Sequence, residues 1–465
     1  MLITAVRRLS RDSLARNSLL IMATTVSNGG LGYLYWMLAA RSVPPNRIGT
    51  ATAVISAATA VSMIANLGLG HMFIQRLPGS DTATWSRIVS CGLVLGSVAT
   101  AASATVVVLI VPALSGNFAF LSGPGGAAAL AAGAVAVTLT TLLDNLYVAH
   151  RSGHGMLVRN LTVAAGKTFT LIAILAAGFH GAGAVLISYI LPTLLVSVVT
   201  AGIGPRRLRP GARPTLHGLR TEFPHVRAAL TGHHLINLTQ AGPAALLPVL
   251  VTAVLGADAN AHFYLAWMTA SMLFMVSPAV ASALYAERAN AAPVAVSRAA
   301  VVVLAVVGVP AAVLLVAGDR ILALFSAGYA VEGALLLQIL VLAAIPDAVA
   351  NLAVAHWRAR GEFRLCRRLN LVRAVTCMVL AWLLLPGYGV TGAGVAWLTG
   401  QTAAALLVAL LTLTRRHPPT PAGGQRGVSD PDTTPDAGQG RAVAVPHGVG
   451  KRRRAGGEEP TGSNR

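Results

Sequence analysis

Apolar runs that are each long enough to cross a bilayer recur along the first 414 residues of the chain. A helix that rises 1.5 Å per residue needs about 20 apolar residues to cross a hydrocarbon layer of about 30 Å. Twelve such runs are predicted, at roughly residues 17–39, 50–73, 88–111, 126–148, 157–177, 183–204, 229–255, 260–286, 297–316, 330–356, 371–385 and 392–413. The chain is 55% hydrophobic and only 11% charged, whereas soluble domains are about a quarter charged. We therefore predict an all-α, polytopic membrane protein.

Basic residues are distributed unevenly between the two predicted sides of the membrane. Of the 35 Lys and Arg residues, Arg41, Arg47 and Arg320 fall in loops on one side and Lys167 lies inside a span, while the others fall on the opposite side. Because cytoplasmic loops are enriched in Lys and Arg, both termini are predicted to be cytoplasmic. The net charge of +20 is then a consequence of topology, so a nucleic-acid partner is not predicted.

Composition divides the chain into five segments. Residues 1–16 form a basic cytoplasmic N-terminus, residues 17–204 a first lobe of six spans, residues 205–228 a basic cytoplasmic linker and residues 229–414 a second lobe of six spans. Residues 415–465 are rich in Pro, Gly, Asp, Thr and Arg. Such a composition cannot bury a core, so this cytoplasmic tail is predicted to be disordered.

Short matches between the two lobes indicate an internal duplication. They are Val148-Ala149-His150 with Val354-Ala355-His356, Asn145 with Asn351, Asn160-Leu161 with Asn370-Leu371, and Gly181-Ala182-Gly183 with Gly392-Ala393-Gly394. Each copy has six spans, an even number, so both copies begin on the same side of the membrane and are parallel repeats. This arrangement places a cavity between two bundles.

Two of the charged residues inside predicted spans lie in successive spans. Asp144 falls in the fourth apolar run and Lys167 in the fifth. A charge at the centre of a bilayer costs about 3 kcal/mol on insertion scales, so both side chains should face protein or water. Two interpretations remain open: Asp144 and Lys167 neutralise each other, or Lys167 is available to a ligand.

At this point the sequence resembles a known family. The residues Asn66-Leu67-Gly68-Leu69-Gly70, Arg76-Leu77-Pro78 and Ala40-Arg41 with Gly49, together with the plan of six plus six spans, resemble the polysaccharide-repeat (Wzx-type, oligosaccharidyl-lipid) flippases. These belong to the multidrug/oligosaccharidyl-lipid/polysaccharide (MOP, MATE-like) exporter superfamily. The resemblance covers about residues 10–414.

The resemblance implies a V-shaped pair of six-helix lobes in a bacterial plasma membrane. Such a protein moves an undecaprenyl-diphosphate-linked glycan across the membrane by alternating access. The implied partners are membrane lipid, this glycan, and the polymerase or glycosyltransferases of polysaccharide assembly. No catalytic residue, cofactor or metal is predicted, and Cys91, Cys366 and Cys377 lack the spacing of metal ligands.

Candidate site residues follow from the chemistry of this substrate. A diphosphate that loses its water needs cations, for which Lys167, Arg159 and Arg76 are candidates. Sugar hydroxyls need hydrogen-bonding partners, and the candidates are Asn28, Asn66, Asn145, Asn237, Gln240, Gln338, Asn351 and Gln401. Each of these amides could instead join neighbouring helices.

Acidic residues inside the spans are candidates for ion coupling, and they are Asp144 and Asp347. Asp347 follows Pro346, whose kink frees backbone carbonyls, so the pattern fits a cation or proton site and equally a capped kink.

Two other transporter classes are alternatives. A cation-coupled multidrug (MATE) exporter usually carries acidic residues in span 1 or in spans 7 and 8, whereas here span 1 has none and the later pair has only Asp258 and Glu287 near its ends. A flippase of the lipid II type typically has fourteen spans and a more cationic cavity. A membrane enzyme of polysaccharide assembly would need large external loops or acidic motifs at span ends, and neither is visible.

Overall fold

The computed structural model describes residues 13–66, 68–215, 217, 221–222, 224–226, 234–289 and 296–416. Within these ranges, the side chains of residues 13–19, 235–237, 276–289, 296–306, 359 and 415–416 are not described. The predictions for residues 1–12, for the tail from residue 417 and for the Asn237 side chain therefore lie outside the described part of the chain.

Helices form all of the regular structure in the described residues. They are α1 (Ser13–Ser42), α2 (Pro45–Ala65), α3 (Leu69–Arg76), α4 (Thr82–Leu114), α5 (Pro124–Ala149), α6 (Gly153–Ala176), α7 (Ala182–Leu208), α8 (Leu235–Leu255), α9 (Ala257–Ala289), α10 (Val296–Ala323), α11 (Ala327–Leu342), α12 (Ala344–Ala359) and α13 (Phe363–Arg416). A short 3₁₀ helix, Gly116–Leu121, follows α4.

Eight stretches of the described helices are long and apolar enough to cross a membrane. One of them, Phe363–Thr414 in α13, has 52 residues. At 1.5 Å per residue it would extend about 78 Å, which is more than two hydrocarbon layers. Gly389 interrupts this helix with φ 55° and ψ −146°, so α13 makes two crossings. Because α13 crosses twice, the eight stretches supply nine crossings. The helices α1, α9 and α10 bring the total to the twelve that were predicted, and the all-α fold is confirmed.

Equivalent helices of the two halves make equivalent contacts. In the first half α1 packs on α6, α2 on α5, and α4 on α5. In the second half α8 packs on α13, α9 on α11 and α12, and α10 on α11. The same arrangement of neighbours therefore recurs in two six-helix bundles.

The two halves meet most closely where α2 and α9 begin, at the predicted external end. Asn260 Nδ2 donates to the carbonyl of Gly49 at 3.3 Å and to Thr52 Oγ1 at 3.0 Å. At the same end, Arg41 Nε donates to the carbonyl of Leu324 at 2.6 Å. At the opposite end, His234, which directly precedes α8, hydrogen-bonds the backbone of Ile64 in α2.

Gly49 allows the close approach of α2 to α9, and a side chain there should separate the two helices. A Cβ atom at Gly49 would lie 1.6 Å from the carbonyl oxygen of Ala257, which is backbone and cannot rotate away. We expect Gly49→Ala to destabilise the fold by about 1–3 kcal/mol or more, measured as a lower melting temperature in detergent. Gly32→Ala in α1 is the control, because a Cβ at Gly32 has no atom within 4 Å. Equal melting temperatures for the two variants would contradict this role of Gly49.

Candidate functional site

A buried polar network in the first half joins α1, α5 and α6. Arg159 Nη2 donates to Asp144 Oδ1 at 2.7 Å, and Asn160 Nδ2 donates to the same oxygen at 3.0 Å. Asn28 Nδ2 then donates to Asn160 Oδ1 at 3.2 Å. The Arg159 side chain is only 2% exposed, so its charge depends on Asp144 for neutralisation.

A second network in the other half joins α8, α12 and α13. Arg373 Nη1 lies 3.8 Å from Asp347 Oδ1, and each side chain is only 6% exposed. Asn351 Nδ2 donates to Asp347 Oδ2 at 2.9 Å. Arg373 Nη2 donates to the carbonyl of Gln240 at 2.7 Å, which attaches the first helix of this half to the ion pair. Asp347 is therefore neutralised by an arginine that was not among the predicted site residues.

The two networks are related by the internal repeat but lie at different depths. The position in the second half that matches Asp144 is Ala350, three residues after Asp347, and the position that matches Arg159 is Leu369, four residues before Arg373. Since α12 runs towards the predicted cytoplasmic end, an earlier residue in it lies further from that end. Since α13 starts at that end, a later residue in it also lies further away. The Asp347–Arg373 pair is therefore about one helical turn, or about 5 Å, deeper than its counterpart.

The first of the two interpretations, an ion pair between Asp144 and Lys167, is contradicted by the structure, and the geometry of the hairpin between α5 and α6 explains why. In antiparallel helices, residues at equal distances from the connecting turn face each other. Asp144 and Arg159 are nearly equidistant from the turn at residues 150–152, and they form the ion pair. Lys167 lies eight residues beyond Arg159, about 12 Å further along α6.

Lys167 instead lies against an aromatic cluster that connects the two halves. Its Nζ is 3.4 Å from the centre of the Tyr189 ring, a cation–π contact. Tyr189 also contacts Trp36, which packs on Tyr264 of α9 with ring centres 5.0 Å apart. The matching position of the second half is the buried Cys377, so this charge has no counterpart there.

No carboxylate lies within salt-bridge distance of Lys167 among the residues that the structure describes. Its side chain is partly exposed. Asp144 and Asp347 are both paired with arginines, so Lys167 is the predicted cation that has no carboxylate partner among the described residues.

Several predicted amides have structural partners. Asn145 Nδ2 donates to the carbonyl of Thr141 at 2.8 Å and packs against Gly70 so closely that a Cβ there would lie 2.5 Å away. Gln240 Oε1 accepts from Arg358 Nη2 at 2.8 Å. Asn28 and Asn351 belong to the two networks described above. Asn28 and Gln240 hydrogen-bond across to neighbouring helices, Asn145 packs against α3, and Asn351 hydrogen-bonds within its own helix.

The remaining predicted residues are separate from the networks. Asn66 caps the C-terminus of α2, and Gly68, with φ 73°, starts α3 after it. Gln338 is exposed on the face of α11 that also carries Leu335 and Leu342. Gln401 is fully buried, and neither atom of its amide has a partner among the described residues.

Arg76 binds a carboxylate at the predicted cytoplasmic surface rather than a residue of the interior. Its guanidinium pairs with Glu222, whose other oxygen accepts from Arg87 Nε at 3.0 Å. The Glu222 side chain is 2% exposed. These contacts attach the linker between the halves to α3 and α4.

The attachment of the linker should depend on pH. Burial raises the pKa of Glu222, but its hydrogen bonds and ion pairs with Arg76 and Arg87 outweigh burial, so the pKa lies below its ordinary value. A carboxylate with a lowered pKa contributes full stability above the ordinary value of about 4.3 and loses it as the pH falls through the folded value. We therefore expect amide hydrogen exchange in the linker, corrected for intrinsic rates, to accelerate below about pH 4.

Glu222→Gln should accelerate exchange in the linker already at neutral pH and remove the additional acceleration in acid. Asp319→Asn, which changes an exposed acid of α10, is the control and should behave as the unmodified protein. Unchanged exchange in Glu222→Gln at neutral pH would show that the ion pairs do not hold the linker.

Comparisons with known proteins agree on the fold. No family model matches the sequence, and no curated protein matches it. The structure is similar to the inward closed conformation of the lipid II flippase MurJ, with a TM-score of 0.67 and 12% identity over 85% of this chain and 87% of that chain. It is also similar to the inward-facing conformation of a multidrug resistance MATE family transporter of the MOP superfamily, with a TM-score of 0.59 and 16% identity over 86% of this chain and 98% of that chain.

A third similar structure is a MOP superfamily transporter from Pyrococcus furiosus, described as having a binding pocket of reversed polarity. Its TM-score is 0.58 at 15% identity, over 87% of this chain and 95% of that chain. These likenesses cover most of both chains. They show that the chain has the fold shared by MATE transporters and MurJ.

Proposed function

We propose that the protein is a membrane transporter that flips a lipid-linked oligosaccharide or polysaccharide precursor across the plasma membrane by alternating access. The observation that carries this proposal is Lys167, a cation inside the first half that no described carboxylate neutralises. An anionic diphosphate headgroup that leaves water needs such a charge. The transporter fold and the resemblance of the sequence to polysaccharide-repeat flippases support the same class of substrate.

The contacts between the halves support alternating access. Lys167 lies one helical turn nearer the predicted cytoplasmic side than Leu171, which belongs to an apolar cluster formed by helices of both halves. This cluster and the contact of Gly49 with α9 close the predicted external end. A headgroup beside Lys167 is then separated from the predicted external side by packed side chains, and the halves must separate there to release it.

Multidrug export is less compatible with the charges than lipid flipping. A cationic drug is attracted by unpaired carboxylates, whereas Asp144 and Asp347 each face a buried arginine. Lipid II remains the second candidate substrate, because the structure is similar to MurJ and lipid II carries the same diphosphate chemistry. In this proposal both termini are cytoplasmic, and glycosyltransferases and a polymerase supply and consume the glycan.

Reconstitution distinguishes these functions. Proteoliposomes would contain either a fluorescent undecaprenyl-diphosphate oligosaccharide, fluorescent lipid II or a fluorescent cationic drug, with protein-free vesicles as the control. We expect the oligosaccharide lipid to exchange between leaflets, measured as a growing fraction accessible to an external quencher. Transport of the drug without movement of either lipid would contradict the proposal, and faster movement of lipid II would assign the second candidate.

A further inference from the structure

A groove of about 580 Å³ lies on the first half, between the end of α5 and the adjoining parts of α6 and α7. Its polar residues include Tyr147, His154 and Arg207, near the predicted cytoplasmic ends of these helices. Its apolar wall includes Leu195 and Val199. The groove is separate from the aromatic cluster around Lys167. The exposed residues that line it take no part in either of the polar networks described above.

The polar end of the groove has unused hydrogen-bonding capacity. The side chains of Tyr147, His154 and Arg207 have no hydrogen-bond or ion-pair partner among the residues that the structure describes. Gly155 leaves room for the Tyr147 ring beside the groove, because a Cβ there would lie 2.6 Å from the ring, whereas a Cβ at Gly204 would make an ordinary contact with the Tyr147 hydroxyl at 3.6 Å. The hydroxyl, the imidazole and the guanidinium thus form a group of donors at one end.

A buried arginine adds a further donor to the same wall. Arg159 lines the groove, its side chain is 2% exposed, and its Nε and Nη1 atoms have no hydrogen-bond partner among the described residues. Only its Nη2 atom is used, by Asp144 and more weakly by the carbonyl of Thr140 at 3.4 Å. A buried guanidinium with two unsatisfied nitrogens is expected to be completed by an anion or by water.

The other end of the groove is suited to a hydrocarbon chain. Val158, Leu195 and Val199 are 49%, 55% and 57% exposed. They lie on α6 and α7, within stretches that are long and apolar enough to span a membrane, so their exposed faces contact lipid. A ligand that fits the whole groove has an anionic head and an apolar chain.

We propose that this groove binds an anionic phospholipid of the surrounding membrane. The phosphate of the lipid accepts hydrogen bonds from Arg207 and Tyr147, and one acyl chain lies along Leu195 and Val199. Two features favour a phospholipid over a soluble anion: the apolar wall opens to the hydrocarbon, and the positive end lies at the membrane surface where anionic lipid headgroups are found. The site does not depend on the proposed transport function.

The test measures lipid that remains bound to the full-length protein after purification from nanodiscs of phosphatidylglycerol and phosphatidylcholine. Native mass spectrometry counts the bound phosphatidylglycerol. We expect Arg207→Gln and Tyr147→Phe each to lower the bound fraction severalfold. Arg206→Gln is the matched control, since Arg206 is the exposed neighbour of Arg207 but does not line the groove. Val199→Trp, which fills the apolar wall, should lower the bound fraction as well.

Four outcomes would overturn the proposal. An equal loss in Arg206→Gln and Arg207→Gln would indicate a diffuse surface charge. Undiminished binding in the Tyr147→Phe, Arg207→Gln double variant, with a normal gel-filtration profile, would show that the groove is not the site. Displacement of the lipid by inorganic phosphate would assign a soluble anion. Stronger retention of an undecaprenyl-diphosphate-linked oligosaccharide than of phosphatidylglycerol would reassign the groove to the transported lipid.

Discussion

Arg373→Met should remove most of the folded protein from the membrane. The change leaves Asp347 with a buried negative charge, because both side chains of the pair are only 6% exposed. Breaking a buried ion pair on one side costs about 3–5 kcal/mol, which is a large part of a typical stability of about 5–15 kcal/mol. The measurement is the yield of monodisperse protein after detergent extraction, together with its melting temperature.

A double replacement separates loss of the pair from loss of the arginine alone. Asp347→Asn with Arg373→Met removes both charges, and the new amide would still offer Asn351 an acceptor, so yield and melting temperature should recover substantially. Arg358→Met is the control, because Arg358 is exposed and hydrogen-bonds the side chain of Gln240 in α8 without entering the ion pair. A double variant as unstable as Arg373→Met would show that Arg373 stabilises the fold chiefly through the carbonyl of Gln240.

Lys167→Met should fold and yet flip the lipid-linked precursor about ten- to a hundredfold more slowly. If Lys167 binds the diphosphate, the variant loses a hydrogen bond to a charged group, which is worth about 1.5–3 kcal/mol. This energy corresponds to the expected ten- to hundredfold decrease in rate. The fold should tolerate the change because the matching position of the second half, Cys377, is uncharged and buried. The measurement is the rate of flipping in proteoliposomes that contain equal amounts of folded protein.

Lys167→Arg is the matched variant, because it keeps the positive charge and the contact with the Tyr189 ring. It should retain most of the flipping rate. Full activity of folded Lys167→Met would reject the ligand role of Lys167. Loss of folded protein in Lys167→Met but not in Lys167→Arg would assign the lysine to the structure, through its contact with Tyr189.

The number of crossings and the duplication could be predicted from the sequence because they depend on properties of single segments. Hydrophobic length predicts a span, and the matches of Asn145 and Asn160 to the second half predict a repeat. Gly389 shows the limit of this reasoning, since one residue with φ 55° separates two crossings that otherwise form one helical stretch.

The partners of the buried carboxylates could not be predicted in the same way. Arg373 lies at the start of a predicted span, where basic residues were interpreted as signals of orientation, and Arg159 was predicted to bind the diphosphate rather than a carboxylate. The packing of α5 against α6 in a hairpin places Arg159 opposite Asp144. In the second half, the packing of α12 against α13 brings Arg373 towards Asp347. One of the two interpretations left open for Lys167, the pair with Asp144, is therefore contradicted, because Asp144 binds Arg159.

The difference in depth between the two ion pairs has an electrical consequence. Each closed pair is neutral, so the membrane potential exerts little net force on it. A proton or other single charge that reaches Asp347 from the predicted cytoplasmic side would cross about 5 Å more of the hydrocarbon than one that reaches Asp144. With a layer of about 30 Å and 2.3 kcal/mol per charge per 100 mV, the difference is about 0.4 kcal/mol per 100 mV. We therefore expect the two halves to differ in voltage sensitivity, with an energised membrane having the larger effect on opening of the deeper pair.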